Sequence, residues 1–210
     1  MSNMTQPVGD SNTLFLSIIA GTMVEKSEEG VQGAKRRDYE TSDGKTWTKW
    51  EIHHRNLVGR ISWMEFKETD YGEQFTLTLS AWEDTAKIFI GTDSRYFSDF
   101  GKKLPNINLE KDIEINPYDF KATDGKQLRW MSIKQDGEKV ADHYWDGKKT
   151  TNGMPSVSKE DAKGYDSDSW KVFFITIKKF LKKEIQKVVL PTIVEEVKDV
   201  TLEEAEAAFE

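Results

Sequence analysis

Apolar and polar side chains alternate with period two through most of the first 145 residues, and a period of three to four takes over near the end of the chain. Residues 14–24, LFLSIIAGTMV, are rich in β-branched and aromatic side chains and predict a first strand, with Gly21 at a bulge or tight bend. The polar stretch EKSEEGVQGAKRRDYETSDGK carries Gly30 and Gly33 and no apolar period, which predicts a loop holding Lys35, Arg36 and Arg37. Residues 46–67, TWTKWEIHHRNLVGRISWMEFK, are long, aromatic and alternating, and predict one strand kinked at Gly59 and bent across a barrel. ETDYGEQ reads as a turn, so 61–66 and 75–82 form a hairpin, and 87–90 adds a short strand.

In 93–104 the side chains of Tyr96, Phe97, Phe100 and Leu104 fall at helical spacing, with Asp93 or Ser94 as N-cap and Pro105 as the stop. Strands over 113–120, 127–135 and 140–145 are joined by ATDGK and QDGEK, and Asp-Gly is a strong short-range hairpin signal. Residues 146–168 contain three glycines, one proline and no apolar period, the pattern of a flexible linker. Beyond them Trp170, Phe173, Phe174, Ile177, Phe180, Leu181, Ile185 and Val188 recur at three and four, opposite a lysine-rich face, up to Pro191.

These elements predict a mainly β fold: an OB-like small barrel over 1–145 with one short inserted helix, because OB barrels carry a helix between their third and fourth strands. Another small β-barrel is the second choice. The linker 146–168, an amphipathic helix 169–190 packed on the barrel and an acidic tail 191–210 complete the expected organisation.

Composition narrows the chemistry. With no cysteine, disulfides, thiolate metal sites and cysteine nucleophiles are excluded, which suits a reducing, cytoplasmic compartment. No apolar run reaches membrane-spanning length, and residues 1–12 are polar and uncharged apart from Asp10, unlike a secretory leader. Neither a membrane partner nor a cofactor is therefore expected. The net charge of −7 is segregated: residues 195–210 hold seven carboxylates against Lys198, which accounts for −6 and leaves the rest of the chain at −1. A locally basic face on the body is compatible with that balance.

Single-stranded nucleic acid is held by cations that follow the phosphates and by aromatic faces on which bases stack. The run Lys45, Trp47, Lys49, Trp50, His53, Arg55, Arg60, Trp63 interleaves both chemistries, and Arg129, Trp130 and Lys134 do so again. On a strand Trp47, Lys49, His53 and Arg55 share one face, the better candidate for exposure, whereas Trp50, Ile52, His54 and Val58 share the other. For any one tryptophan, burial in the core is an equally available reading. Lys35, Arg36 and Arg37 are a further candidate clamp, although short basic runs are commonly just solvated.

Catalysis is not expected. Three histidines, two of them adjacent and pointing to opposite strand faces, do not suit a zinc site, and no metal is expected. Neither GxGxxG, nor GxxxxGK[ST], nor a nucleophile elbow occurs.

The run GRISWMEFKETDYGEQFTLTLS, followed by SRYFSDFGKKLPNINLEKDIEINPYDFKATDGKQLRWMSIKQDGEKV, resembles phage-encoded single-stranded DNA-binding proteins of OB-fold type across the middle of the chain. Their acidic C-terminal tails end in or near phenylalanine, and Phe209 in AAFE is similar, with Glu210 added after it and fewer clustered aspartates. The resemblance implies single-stranded DNA as ligand and a place in DNA replication, recombination or repair in the host cytoplasm. Glu203, Glu204, Glu206 and Phe209 would dock replication or recombination proteins, and the acidic segment could instead occupy the protein's own basic groove. A solvated helix capped by Asp199 or Thr201 is as good a reading of the tail. Two other classes fit the composition: a β-module stacking sugar rings on tryptophan, and an interaction or structural protein using helix 170–190, with homo-oligomerisation left open.

Overall fold

The computed structural model describes residues 13–41, 43–81 and 84–191, so the acidic tail with Glu203, Glu204, Glu206 and Phe209, as well as Trp82, lies outside the described residues. The fold is mainly β, as the alternation predicts. Strands β1 (Thr13–Ile19), β2 (Thr22–Ser27), β3 (Lys35–Glu40), β4 (Thr46–His54) and β5 (Leu57–Thr69) come first. Then follow β6 (Gly72–Ala81), β7 (Asp84–Gly91), helix α1 (Arg95–Lys103), β8 (Ile113–Lys121), β9 (Gln127–Gln135) and β10 (Glu138–Lys139). Helices α2 (Lys159–Lys163) and α3 (Ser167–Gln186) close the order.

The ten strands form one mixed sheet in the order β10-β9-β8-β5-β6-β7-β1-β2-β4-β3, and it is open: the expected barrel is not closed. Strand β1 lies parallel on β7, and every other ladder is antiparallel. By taking the free edge of β7, the β1–β2 hairpin leaves β9 no strand to close on. The sheet still curls strongly. A register shift between Ile61 and Trp63 adds a bulge to β5, and bulges increase local twist. The β1–β2 turn also meets β8, since a Cβ on Gly21 would lie 2.2 Å from the Asp119 backbone nitrogen.

Several expectations need correction. Gly21 is not a bulge within one strand; with φ of 46° and 74°, Ala20 and Gly21 make a two-residue hairpin turn. The polar stretch after it is not all loop, because Lys35, Arg36 and Arg37 lie on edge strand β3, paired in register with β4. Residues 46–67 are two strands: β4 pairs with β2 and β3, β5 with β6 and β8, and the chain breaks at Arg55 and Asn56, where Asn56 donates to Glu114. The strand expected over 140–145 does not form, and the partner of β9 is the two residues before it, Glu138–Lys139; the following backbone bonds elsewhere, as His143 N donates to Lys102 O at 2.7 Å and Asn106 Nδ2 to Ala141 O at 3.0 Å. The segment 146–168 is not wholly a linker, since it contains α2 and bridges Trp145 to Thr150.

The core sits on the concave side, where Leu16, Met23, Ile61, Phe75, Leu77, Ile88, Ile115 and Met131 are buried. Helix α1 plugs one end of it. Ser94 Oγ accepts from Phe97 N at 3.2 Å as N-cap, and Phe97 and Phe100 reach Phe75 edge-on and tilted at 5.6 and 5.4 Å. Helix α3 begins three residues before Trp170, because the Asp166 carboxylate accepts from Ser169 N at 2.8 Å. It buries Ile177, Leu181 and Ile185 against α1. Gly101 makes that approach possible: a Cβ there would stand 3.3 Å from the Leu181 Cβ. Lys178 pairs with Asp93 at 2.8 Å and Lys182 with Glu73, which fixes α3 to the rest of the fold.

Candidate nucleic-acid interface

Register and alternation place a cross-strand row on the convex face of the sheet. Phe15 on β1 is opposite Lys87 on β7, Lys87 opposite Thr78 on β6, and Thr78 opposite Trp63 on β5. The next row runs His53, Val24, Ser17, Phe89, Thr76, Glu65 across six strands. Residues between these positions, such as Leu16, Ile88 and Leu77, point into the core, so burial fixes which side chains face outward.

Trp63 is 59% exposed and Phe15 54% exposed, while Phe89 stacks on Phe15 with centroids 6.3 Å apart and planes 11° apart. The Lys87 ammonium lies 5.8 Å from the Phe15 centroid, and Arg60 follows on the same face, opposite Ser80. Thr78, only 5% exposed, lies between Trp63 and Lys87, and its Oγ1 is buried without a hydrogen-bond partner among the described residues. That hydroxyl is closed to solvent, so what the row presents outward is the Trp63 and Phe15 rings and the Lys87 ammonium.

Of the sequence-predicted residues, Trp47, Lys49, His53, Arg60 and Trp63 share this convex face, as do Lys35 and Arg37 through their pairing with Glu51 and Lys49. Trp47 is 55% exposed opposite Tyr39, and Lys49 Nζ lies 4.9 Å over the Tyr39 ring. Arg37 is committed to structure: its guanidinium forks onto Glu51 at 2.5 to 2.9 Å. That bond holds the Glu51 carboxyl below its ordinary range against the opposing effect of burial, and in turn raises Arg37. His53 Nε2 is 3.6 Å from the same carboxylate. Trp50 and Arg36 are paired on the opposite face, with Arg36 bound to Asp38 at 3.0 Å. Arg55 lies in the break after β4 and so does not share the Trp47 face, and Lys45 sits in the turn before β4 against Asp43 at 2.9 Å.

The second predicted cluster is divided. Trp130 stacks on Tyr118 at 5.4 Å and 30° and meets Phe120 edge-on at 5.0 Å, giving a separate aromatic patch on the β8–β9 hairpin. Lys134 shares its side of the strand but pairs with Glu114 at 3.5 Å, and Arg129 points the other way, bound to Asp119 at 2.9 Å.

Compared with known proteins, the chain matches no family model, no curated protein and no solved structure.

Sequence reasoning missed Phe15, Lys87, Phe89, Thr78, Tyr118 and Phe120. Each lies in or beside a strand that alternation predicts, but only the parallel β1–β7 ladder puts Phe15 beside Lys87, and nothing local encodes that pairing. Among the described residues no group of three or more histidines and carboxylates is placed to hold a metal, and no helix is long and apolar enough to cross a membrane. What the convex face offers is planar stacking surface next to amines. Among the described residues, Lys49, Arg60 and Lys87 have no carboxylate partner.

Proposed function

We propose that this protein binds single-stranded DNA without catalysing a reaction and serves phage-type replication, recombination or repair. The observation that carries the reading is the convex row Phe15, Lys87, Thr78, Trp63, in which two aromatic rings over half exposed flank an ammonium. Bases stack on the rings, and Lys87, Arg60 and Lys49 neutralise phosphates. An OB-like reading of β5 to β9 supports this. Helix α1 falls between the third and fourth strands of that set, β5 returns to pair with β8, and the face of the second and third strands carries Thr76, Thr78, Lys87 and Phe89. Trp130 with Tyr118 and Phe120 is a second stacking patch, and Phe209 with Glu203, Glu204 and Glu206 is the segment offered to replication or recombination partners.

Intrinsic tryptophan fluorescence titrated with oligo-dT at low and moderate salt tests the reading. Quenching that weakens with salt is expected, and Trp63→Ala should lower affinity by about 1–3 kcal/mol, the scale of one stacked base. An unchanged spectrum with every single strand tried would end the proposal.

A further inference from the structure

A groove of about 1100 Å³ lies away from the convex sheet face, between the N-terminal half of α3, the start of α1 and residues 145–159. Its lining is aliphatic and aromatic, with Phe97, Ile177 and Leu181 buried and Trp145, Met154 and Phe174 beside them. Phe174 is 59% exposed although Trp170 stacks on it at 5.9 Å and 27°. Seven lysines or arginines line it; Lys178 pairs with Asp93, Lys171 with Asp168 and Arg95 with Asp99, while Lys148, Lys149 and Lys159 have no ion-pair partner among the described residues.

An exposed apolar groove with a rim of one sign selects its occupant by charge. A second copy laying its own α3 here would bring Lys171, Lys178, Lys179, Lys182 and Lys183 against like charges. A nucleic-acid strand meets the charge but leaves the aliphatic lining of Met154, Val157, Ile177 and Leu181 unmatched. An acidic peptide with apolar anchors at helical spacing meets both, the helix-in-groove mode of recognition. This chain supplies one. Residues 199–210, DVTLEEAEAAFE, hold five carboxylates and no lysine or arginine, and Leu202, Ala205 and Phe209 fall at i, i+3 and i+7. From the end of α3 back to Phe174 is about 18 Å of helix, and the eleven residues that follow Pro191, up to Leu202, reach about 36 Å when extended.

We propose that residues 199–210 dock in the α1–α3 groove of their own chain, with Leu202 and Phe209 on the wall formed by Trp145 and Phe174 and the glutamates on Lys148, Lys149, Lys159 and Lys171. The docked segment masks an apolar surface and is released when a partner offers a better basic pocket. This goes beyond DNA binding and does not depend on it.

Zero-length carbodiimide cross-linking of the full-length protein, mapped by mass spectrometry on an equal mixture of ¹⁴N and ¹⁵N chains, tests it. Amide links from Glu203, Glu204 or Glu206 to Lys148, Lys149, Lys159 or Lys171 within isotopically uniform chains are expected. Their yield should fall about tenfold in Phe209→Ala or in the double variant Lys148→Glu, Lys149→Glu. Links to Lys49, Lys67 or Lys87 on the sheet, links only between mixed-isotope chains, or no links from the tail would each overturn the proposal. DNA titration reads the convex face, so either result can fail while the other stands.

Discussion

Burial pushes the Asp99 carboxyl above its ordinary range, with Lys103 and Arg95 opposing the shift. The residue lies on α1, 6% exposed, and its Oδ2 accepts from Met131 N at 3.1 Å, which ties the helix to β9. A raised carboxyl binds its proton more tightly folded than unfolded, so the contribution of Asp99 to stability is greatest in acid and declines as pH rises from the ordinary aspartate range through the raised value. Asp99→Asn keeps an acceptor for Met131 N without the charge. It should be more stable than the parent at neutral pH and converge with it in acid, as thermal melts across pH will read. Asp99→Ala instead leaves a buried N–H unpaired and should cost about 1–3 kcal/mol in acid, and less at neutral pH, where the parent already bears the buried charge.

At the level of elements, β3 shows how an edge strand is held by polar contacts more than by apolar packing, with Thr48 Oγ1 donating to Asp38 at 2.6 Å beside the Arg37–Glu51 pair. Its side chains are exposed or half-buried, and the bidentate Arg37–Glu51 pair is its link to a buried group of β4. The Glu51 carboxyl is lowered chiefly by the Arg37 hydrogen bond, so its contribution is complete above the ordinary glutamate range and disappears as pH falls through the lowered value. Amides of 35–40 should therefore lose hydrogen-exchange protection in acid before those of β5 and β6. Arg37→Ala should remove that protection at neutral pH, at a cost of about 1–3 kcal/mol, while leaving β5 and β6 protected. Helix α3 is held differently, through Leu181 packed close over Gly101 and through Lys182 paired with Glu73.

For the whole molecule, the dominant electrostatic fact is segregation: residues 195–210 carry −6 of the net −7. Wherever that segment rests, it lowers the potential a DNA strand meets on approach. Deleting 195–210 should tighten single-stranded DNA binding at low salt. The gain should shrink toward physiological ionic strength, where the Debye length is about 8 Å. Affinity that is unchanged or weaker at low salt would show that the tail does not oppose the strand.

The chain's own alternation determined most of the strands, the hairpin expected of 61–66 with 75–82, the Asp-Gly turn before β10, helix α1 with its Ser94 cap, and an amphipathic helix near the end, expected over 169–190 and formed over Ser167–Gln186. These follow from local propensity, capping and side-chain period, which act within a few residues. Tertiary structure decided what long-range pairing controls. The parallel β1–β7 ladder opened the barrel, the switch of partners at Arg55 and Asn56 split one expected strand into two, and β4 recruited the supposed loop 35–40 as an edge. The candidate site divides in the same way: the sequence named Trp47, Lys49, Arg60 and Trp63 from their chemistry. Phe15, Lys87 and Thr78 joined them only through register, and Arg36, Arg37, Arg129 and Lys134 were revealed as partners of carboxylates. A strand's period says which side chains share a face, but which strand lies alongside, and which charge waits there, depends on residues tens of positions away.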